Sequence, residues 1–218
     1  MSEDRSTATR VRERNRRGDG RRLQEDLVVA AVRLVESHGH AQVSLRAVAR
    51  EVGVAPTSVY LHFDDVEGVL AAVMSRGFEE LARSTTRAAS GVDGPLEELR
   101  ARMFAYCRFA LEHPRLYEFM FRGDLPGPVA REGVDTPGLR SFATLHTLVE
   151  RVVGAGIGRS HEDSHLLATL VWTSMHGLVL ARISRPTFAW APLEVLVRES
   201  IDRLLGVTLD AKGAVNAK

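Results

Sequence analysis

The sequence predicts an all-α protein. Apolar residues recur at helical spacing through most of the chain, alternating strand patterns are absent, and glycine and proline gather between the periodic stretches. At 218 residues, with 44% hydrophobic and 26% charged residues, the chain is long enough to bury a substantial core. Leu23, Leu27, Ala31, Leu34 and Val35 form one face of a first helix, and Gly39 lies just past its end. Leu45, Val48, Ala49 and Val52 fall at i, i+3, i+4 and i+7, the stripe of a short second helix that Gly53 stops. Pro56 suits the first position of a third helix, where its missing N–H costs nothing; this helix runs to about His62 and turns Val59 and Phe63 inward. Asp64 is expected to cap the next helix, with Glu67 completing a capping box, and Leu70, Val73, Met74, Phe78 and Leu81 carry that helix onward. The predicted helices beyond residue 63 are roughly 65–88, 94–112, 114–121, 138–154, 161–184 and 191–205. Residues 122–137, with three prolines and three glycines, read as a surface loop.

The second and third helices, joined by a tight glycine turn, form a helix-turn-helix, whose second helix enters the major groove of DNA. Ser44-Leu45-Arg46, Val48-Ala49, Val52-Gly53-Val54, Ser58-Val59-Tyr60 and His62-Phe63 resemble the TetR family of bacterial transcriptional regulators over about the first third of the chain. Trp172, His176 and Gly177 in VWTSMHGLV, with the segment 112–121, resemble the Trp-His-Gly type of C-terminal domain in that family. The resemblance implies DNA contacts at Ser44, Arg46, Pro56, Thr57, Ser58, Tyr60 and His62. Ser44 is the expected N-cap of the second helix. Arg46 is the first choice for base readout, because its planar fork matches guanine O6 and N7. Tyr60 and His62 are expected on the phosphate backbone. Many family members place a lysine in the first turn of the fourth helix; here Val66 stands there, between Asp65 and Glu67, removing one phosphate contact.

The net charge of +1 makes no case for nucleic acid, so any basic surface must be local. Residues 1–22 hold eight arginines against four acids. They read either as a solvated tail or as an arm reaching phosphates or a minor groove, and a tail that orders only on DNA is both. Deleting residues 1–20 is expected to weaken binding to all sequences alike and to flatten its salt dependence; unchanged affinity would dispose of the arm. Cys107, the single cysteine, excludes an intrachain disulfide and reads as a small core residue. No apolar run is expected to reach the length of a membrane span, no secretory leader is evident, and the protein reads as cytoplasmic with no membrane partner.

HEDSH, residues 161–165, matches the zinc-peptidase pattern in letters, with His161 and His165 as ligands and Glu162 as base. Gly158 precedes it closely, however, so the segment opens a helix, and Ser160 and Asp163 suit a cap. No third ligand follows at a recognised spacing. Neither a Walker loop nor a nucleophile elbow occurs, and no metal, cofactor or catalytic residue is expected.

The expected organisation is an arm (1–22), a helix-turn-helix head (23–66), a helical effector-binding and dimerisation body (67–206) and a tail (207–218). The family resemblance implies a homodimer through helices 161–184 and 191–205, placing two recognition helices on a near-palindromic operator in double-stranded DNA. On the first of these helices Leu167, Leu170, Val171, Ser174, Leu178 and Ala181 form one face, and Trp172, Met175, His176 and Val179 another. The body is expected to enclose a small, largely apolar effector among Met103, Phe104, Cys107, Tyr117, Phe121, Phe142, His146, Trp172, Met175 and His176. The resulting reading is a transcriptional regulator, a repressor released by its effector. An activator would use the same residues. A helical small-molecule-binding protein or zinc enzyme is the alternative from another class.

Overall fold

The computed structural model describes residues 19–121, 136–159, 161–209 and 215–216. Its helices are α1 (Asp19–His38), α2 (Leu45–Val52), α3 (Pro56–Val59), α4 (Val66–Ala88), α5 (Pro95–Glu112), α6 (Pro114–Met120), α7 (Pro137–Gly154), α8 (Ser164–Ser184) and α9 (Leu193–Leu205), with a 3₁₀ turn at His40–Gln42. A two-residue antiparallel pairing, β1 (Thr208–Leu209) with β2 (Val215–Asn216), follows α9, a small addition to an all-helical chain. Residues 1–18 of the expected arm lie outside the described residues; residues 19–22 open α1.

α1, α2 and α3 pack as a head, and α1 also meets α4 and α6. Leu27, Ala31, Leu34 and Val35 are buried against Val48, Ala49, Val59 and Phe63. Ser44 caps α2 by accepting a hydrogen bond from the Ala47 N–H at 3.1 Å, and Gly53 ends the helix in the left-handed conformation (φ 78°).

The third helix is shorter than its expected reach to His62. It is helical only from Pro56 to Val59, and the chain turns through Tyr60 and Leu61, with the N–H groups of His62 and Phe63 both bonded to the Val59 carbonyl. The next cap also moves by one residue. Asp65, not Asp64, accepts from the Gly68 N–H at 2.8 Å, so Glu67 sits in the first turn without forming a capping box.

α4 runs from the head into a bundle with α5, α6 and α7, while α8 packs on α5, α7 and α9. α4 and α6 approach closely at Gly77, where a Cβ would stand 2.7 Å from Met120 Sδ. Arg100 on α5 and Asp202 on α9, both buried, form an ion pair with Arg100 Nε 2.9 Å from Asp202 Oδ1.

α8 corrects one expectation. Its 21 residues are long and apolar enough, by length and composition, to cross a membrane. Part of this apolarity is internal, since Leu167, Ala168, Val171, Met175 and Val179 form its buried stripe. The rest faces outward: Leu166, Leu170 and Leu180 are exposed, in line with Gly177. The helix is apolar on two sides, as its sequence suggests, but Met175 and Val179 share the inner face with Leu167 and Val171.

Candidate functional site

Ser44, Arg46, Pro56 and Thr57 are exposed on the head, Tyr60 is 57% exposed, and Ser58 and His62 are half-buried. The core side of each short helix explains this arrangement. α2 turns Leu45, Val48 and Ala49 inward, leaving Arg46 outward, and Val59 anchors α3 so that Thr57 and Tyr60 face away. Arg46 forms no ion pair among the described residues, which leaves its guanidinium available to an acceptor. Phosphate contacts fix position and base-edge contacts specify sequence, and this surface carries groups for both. Sequence reasoning missed Leu61. At 80% it is the most exposed of the large hydrophobic residues among those described, held out by the turn after Val59. Its place off the Val59–Phe63 stripe was the available signal.

The body contains a cavity of about 630 Å³. α4 contributes Met74 and Phe78, α5 Met103 and Tyr106, and α7 Leu145, the mostly apolar wall typical of ligand sites. Among the ten residues named from sequence, Met103, Phe121, Phe142 and Trp172 line it. Phe104, Cys107, Tyr117, His146, Met175 and His176 lie outside the lining. Cys107 is fully buried with Sγ 3.8 Å from Met175 Sδ, and burial pushes its thiol up to about 12, which disfavours a reactive thiolate. His146 instead meets Ser164 at 3.1 Å and the ring of His165.

Tyr117 and His176 stand just behind the wall. The hydroxyls of Tyr106 and Tyr117 are 2.6 Å apart, and Tyr117 Oη is 2.6 Å from His176 Nδ1. Burial raises both phenol pKa values and lowers that of His176, so phenols and imidazole are neutral together. In the tautomer protonated at Nε2, Nδ1 accepts from the Tyr117 hydroxyl, which in turn accepts from Tyr106. A proton taken up by unfolded His176 near its ordinary 6.5 is refused by the folded form. This contribution to stability is therefore complete above that pH and is lost as pH falls below it. Unfolding measured at about pH 7.5 and about pH 5.5 should show a smaller loss for His176→Gln than for the parent; an equal loss assigns the effect to other groups.

HEDSH does not lie within one helix. Asp163 caps α8, accepting from the His165 N–H at 2.9 Å, so His161 precedes the helix and does not share a face with His165. Ser160, the other expected cap, lies outside the described residues. No group of three or more potential metal ligands occurs among the described residues.

Two family models match the chain: "Bacterial regulatory proteins, tetR family" over residues 27–73 and "Tetracyclin repressor-like, C-terminal domain" over residues 99–207. An uncharacterized HTH-type transcriptional regulator from Bacillus subtilis is 31% identical over 44% of this chain and 49% of its own length, so the match spans about half of that relative. Another such regulator from Mycobacterium tuberculosis is 23% identical, covering 74% of this chain and 70% of the relative. Among solved structures, a protein of unknown function from Rhodococcus sp. RHA1 aligns with TM-score 0.72 and 28% identity, over 84% of this chain and 93% of that one. The TetR family regulator PfmR from Thermus thermophilus shares the fold, with TM-score 0.62 and 23% identity over 82% of this chain and 96% of that one. With the helix-turn-helix exposed at one end and a cavity-bearing helical body behind it, the chain belongs to the TetR family of bacterial transcriptional regulators, DNA-binding proteins and not enzymes.

Proposed function

We propose that this regulator is a homodimeric repressor, working in the cytoplasm, that leaves its operator when a small, largely apolar effector enters the body. The observation that carries the reading is the path of α4. Its first turn follows the α3 turn directly, and its middle supplies Met74 and Phe78 to the cavity. α6 offers a second link: Met120 and Phe121 line the cavity, while His113 Nδ1 lies 2.5 Å from Glu36 of α1 and Arg115 donates to the Glu36 carbonyl at 3.0 Å. An effector that prefers one setting of α4 and α6 shifts the head by its difference in affinity for the two states, typically about 1–3 kcal/mol. DNA contacts fall to Ser44, Arg46, Pro56, Thr57, Ser58, Tyr60 and His62. The proposed division is arm 1–22, head 23–66, body 67–206 and tail 207–218, with the arm's last residues continuous with α1.

The dimer forms through α8 and α9. Leu166, Leu170 and Leu180 expose an apolar row on α8, and Val195 is exposed on α9. This arrangement also supports the Trp-His-Gly resemblance. Trp172 faces the cavity, His176 bonds to Tyr117, and Gly177 looks outward, where a Cβ meets nothing within 4 Å. Gly177→Arg has room within one protomer but none at a close helix pairing. It is expected to leave helicity intact and halve the mass by light scattering; an unchanged mass places the interface elsewhere.

Genome-wide mapping of fragments bound by the purified protein tests the function. Enrichment of a near-palindromic site is expected, and no enrichment over bulk DNA overturns it. Removing the regulator should raise transcription beside that site; a fall makes it an activator.

A further inference from the structure

The cavity is chemically unequal along its wall. Phe78, Leu145 and Trp172 make much of it apolar, whereas Arg102 is the sole charged side chain among the described lining residues. Arg102, Thr144 and Leu148 also border a second hollow of about 370 Å³, whose other walls include Glu98 and Arg151. The apolar compartment therefore adjoins one bordered by three charged side chains, Glu98, Arg102 and Arg151.

Glu98 joins the two arginines. It accepts from Arg102 Nε at 2.9 Å and from Arg151 Nη1 at 2.7 Å. Two cations share one carboxylate, which leaves this corner net positive. Burial opposes ionisation of Glu98, but the hydrogen bonds from Arg151 and Arg102 outweigh it and hold the carboxyl below its ordinary value. Donors remain unspent. Each guanidinium carries five N–H groups. Arg102 uses Nε on Glu98 and Nη1 on Thr86 at 3.4 Å, so its Nη2 has no partner among the described residues. Arg151 likewise uses only Nη1 among them. The Arg102 side chain is 19% exposed, so its charge acts through a poorer dielectric than water, while Arg151, at 55%, opens to solvent.

Resting on the reading of the cavity as an effector site, we propose that its ligand is an amphipathic anion, with an apolar body among Phe78, Leu145 and Trp172 and a carboxylate or phosphate head between Arg102 and Arg151. The head takes over hydrogen bonds now given to Glu98 and adds those of the unspent donors, in the forked geometry arginine offers such groups. A cationic head meets repulsion from Arg102 and a carboxylate already engaged twice. A neutral head gains only weaker, uncharged hydrogen bonds.

Binding of decanoate, decyl phosphate, 1-decanol and decyltrimethylammonium to the full chain, followed by calorimetry, tests this. Both anions should bind at least about tenfold more tightly than decanol, with the cation weakest. Either ranking of the two anions supports the proposal and identifies the head group. Arg102→Met should weaken the anions about tenfold or more while leaving decanol within about twofold, which shows the cavity intact. Glu98→Gln should tighten the anions, since it removes the competing carboxylate, a gain that a purely structural role for the trio does not produce. Decanol binding as tightly as the anions, or losses in Arg102→Met equal for every ligand, overturns the anion proposal and leaves the cavity reading standing. Binding of none of the four, with DNA binding retained, removes the cavity reading itself.

Discussion

Asp202→Ala is expected to lower stability by about 3–5 kcal/mol, because it leaves the Arg100 guanidinium buried without its charge partner. Both residues are nearly sealed, Arg100 at 6% and Asp202 at 7% exposure. Arg100 retains a bond to Glu97 on its own helix, which softens the loss without replacing the link to α9. The pair matters beyond its energy because α5 supplies cavity wall through Met103 and Tyr106, and α9 belongs to the proposed dimer face. Denaturant unfolding at fixed protomer concentration measures the effect, since the proposed dimerisation would otherwise shift the midpoint. The double variant Arg100→Met, Asp202→Leu should recover much of the loss, because well-packed apolar residues often match a buried ion pair. A single-variant loss below about 1 kcal/mol would mean that the site admits water and the pair is of the weak, surface kind.

Arg46→Ala is expected to weaken operator binding about 10- to 100-fold, the equivalent of about 1–3 kcal/mol for a forked contact to guanine. Binding to scrambled duplex should change much less. Replacing the contacted guanine with 7-deazaguanine removes one acceptor, so it should penalise the parent protein and add little to the variant. Equal losses on operator and scrambled DNA, with a shallower salt dependence, would make Arg46 a phosphate contact. Base readout would then pass to α3 and the turn that follows it, where Thr57 and Leu61 both face outward and both carry methyl groups able to meet thymine.

Local chemistry made much of this molecule readable. The Leu45–Val52 stripe, the Ser44 cap and the left-handed Gly53 each depend on neighbours within a few residues, and each appears where the sequence placed it. The end of α3 did not, because four helical residues are too few for a period to define a terminus. Asp64 and Asp65 are chemically equal candidates for a cap, and only the path of the chain out of Phe63 selects the second. In the body, periodicity identified which face of a helix turns inward but not what that face meets. Phe121 and Trp172 therefore reach the cavity, while Tyr117 and Met175, equally apolar in the sequence, are absorbed into the core beside it.

The sequence by itself determined the helical class, the helix-turn-helix and the outward setting of Arg46, Thr57 and Tyr60 upon it. These follow from hydrogen bonds and side-chain spacing within single turns. Tertiary structure decided the cavity, the Tyr106–Tyr117–His176 chain, the Glu98 junction of two arginines and the burial of Arg100 against Asp202. Those features join side chains up to 102 residues apart, as Arg100 and Asp202 are. Their distances depend on how whole helices pack, which no local pattern encodes.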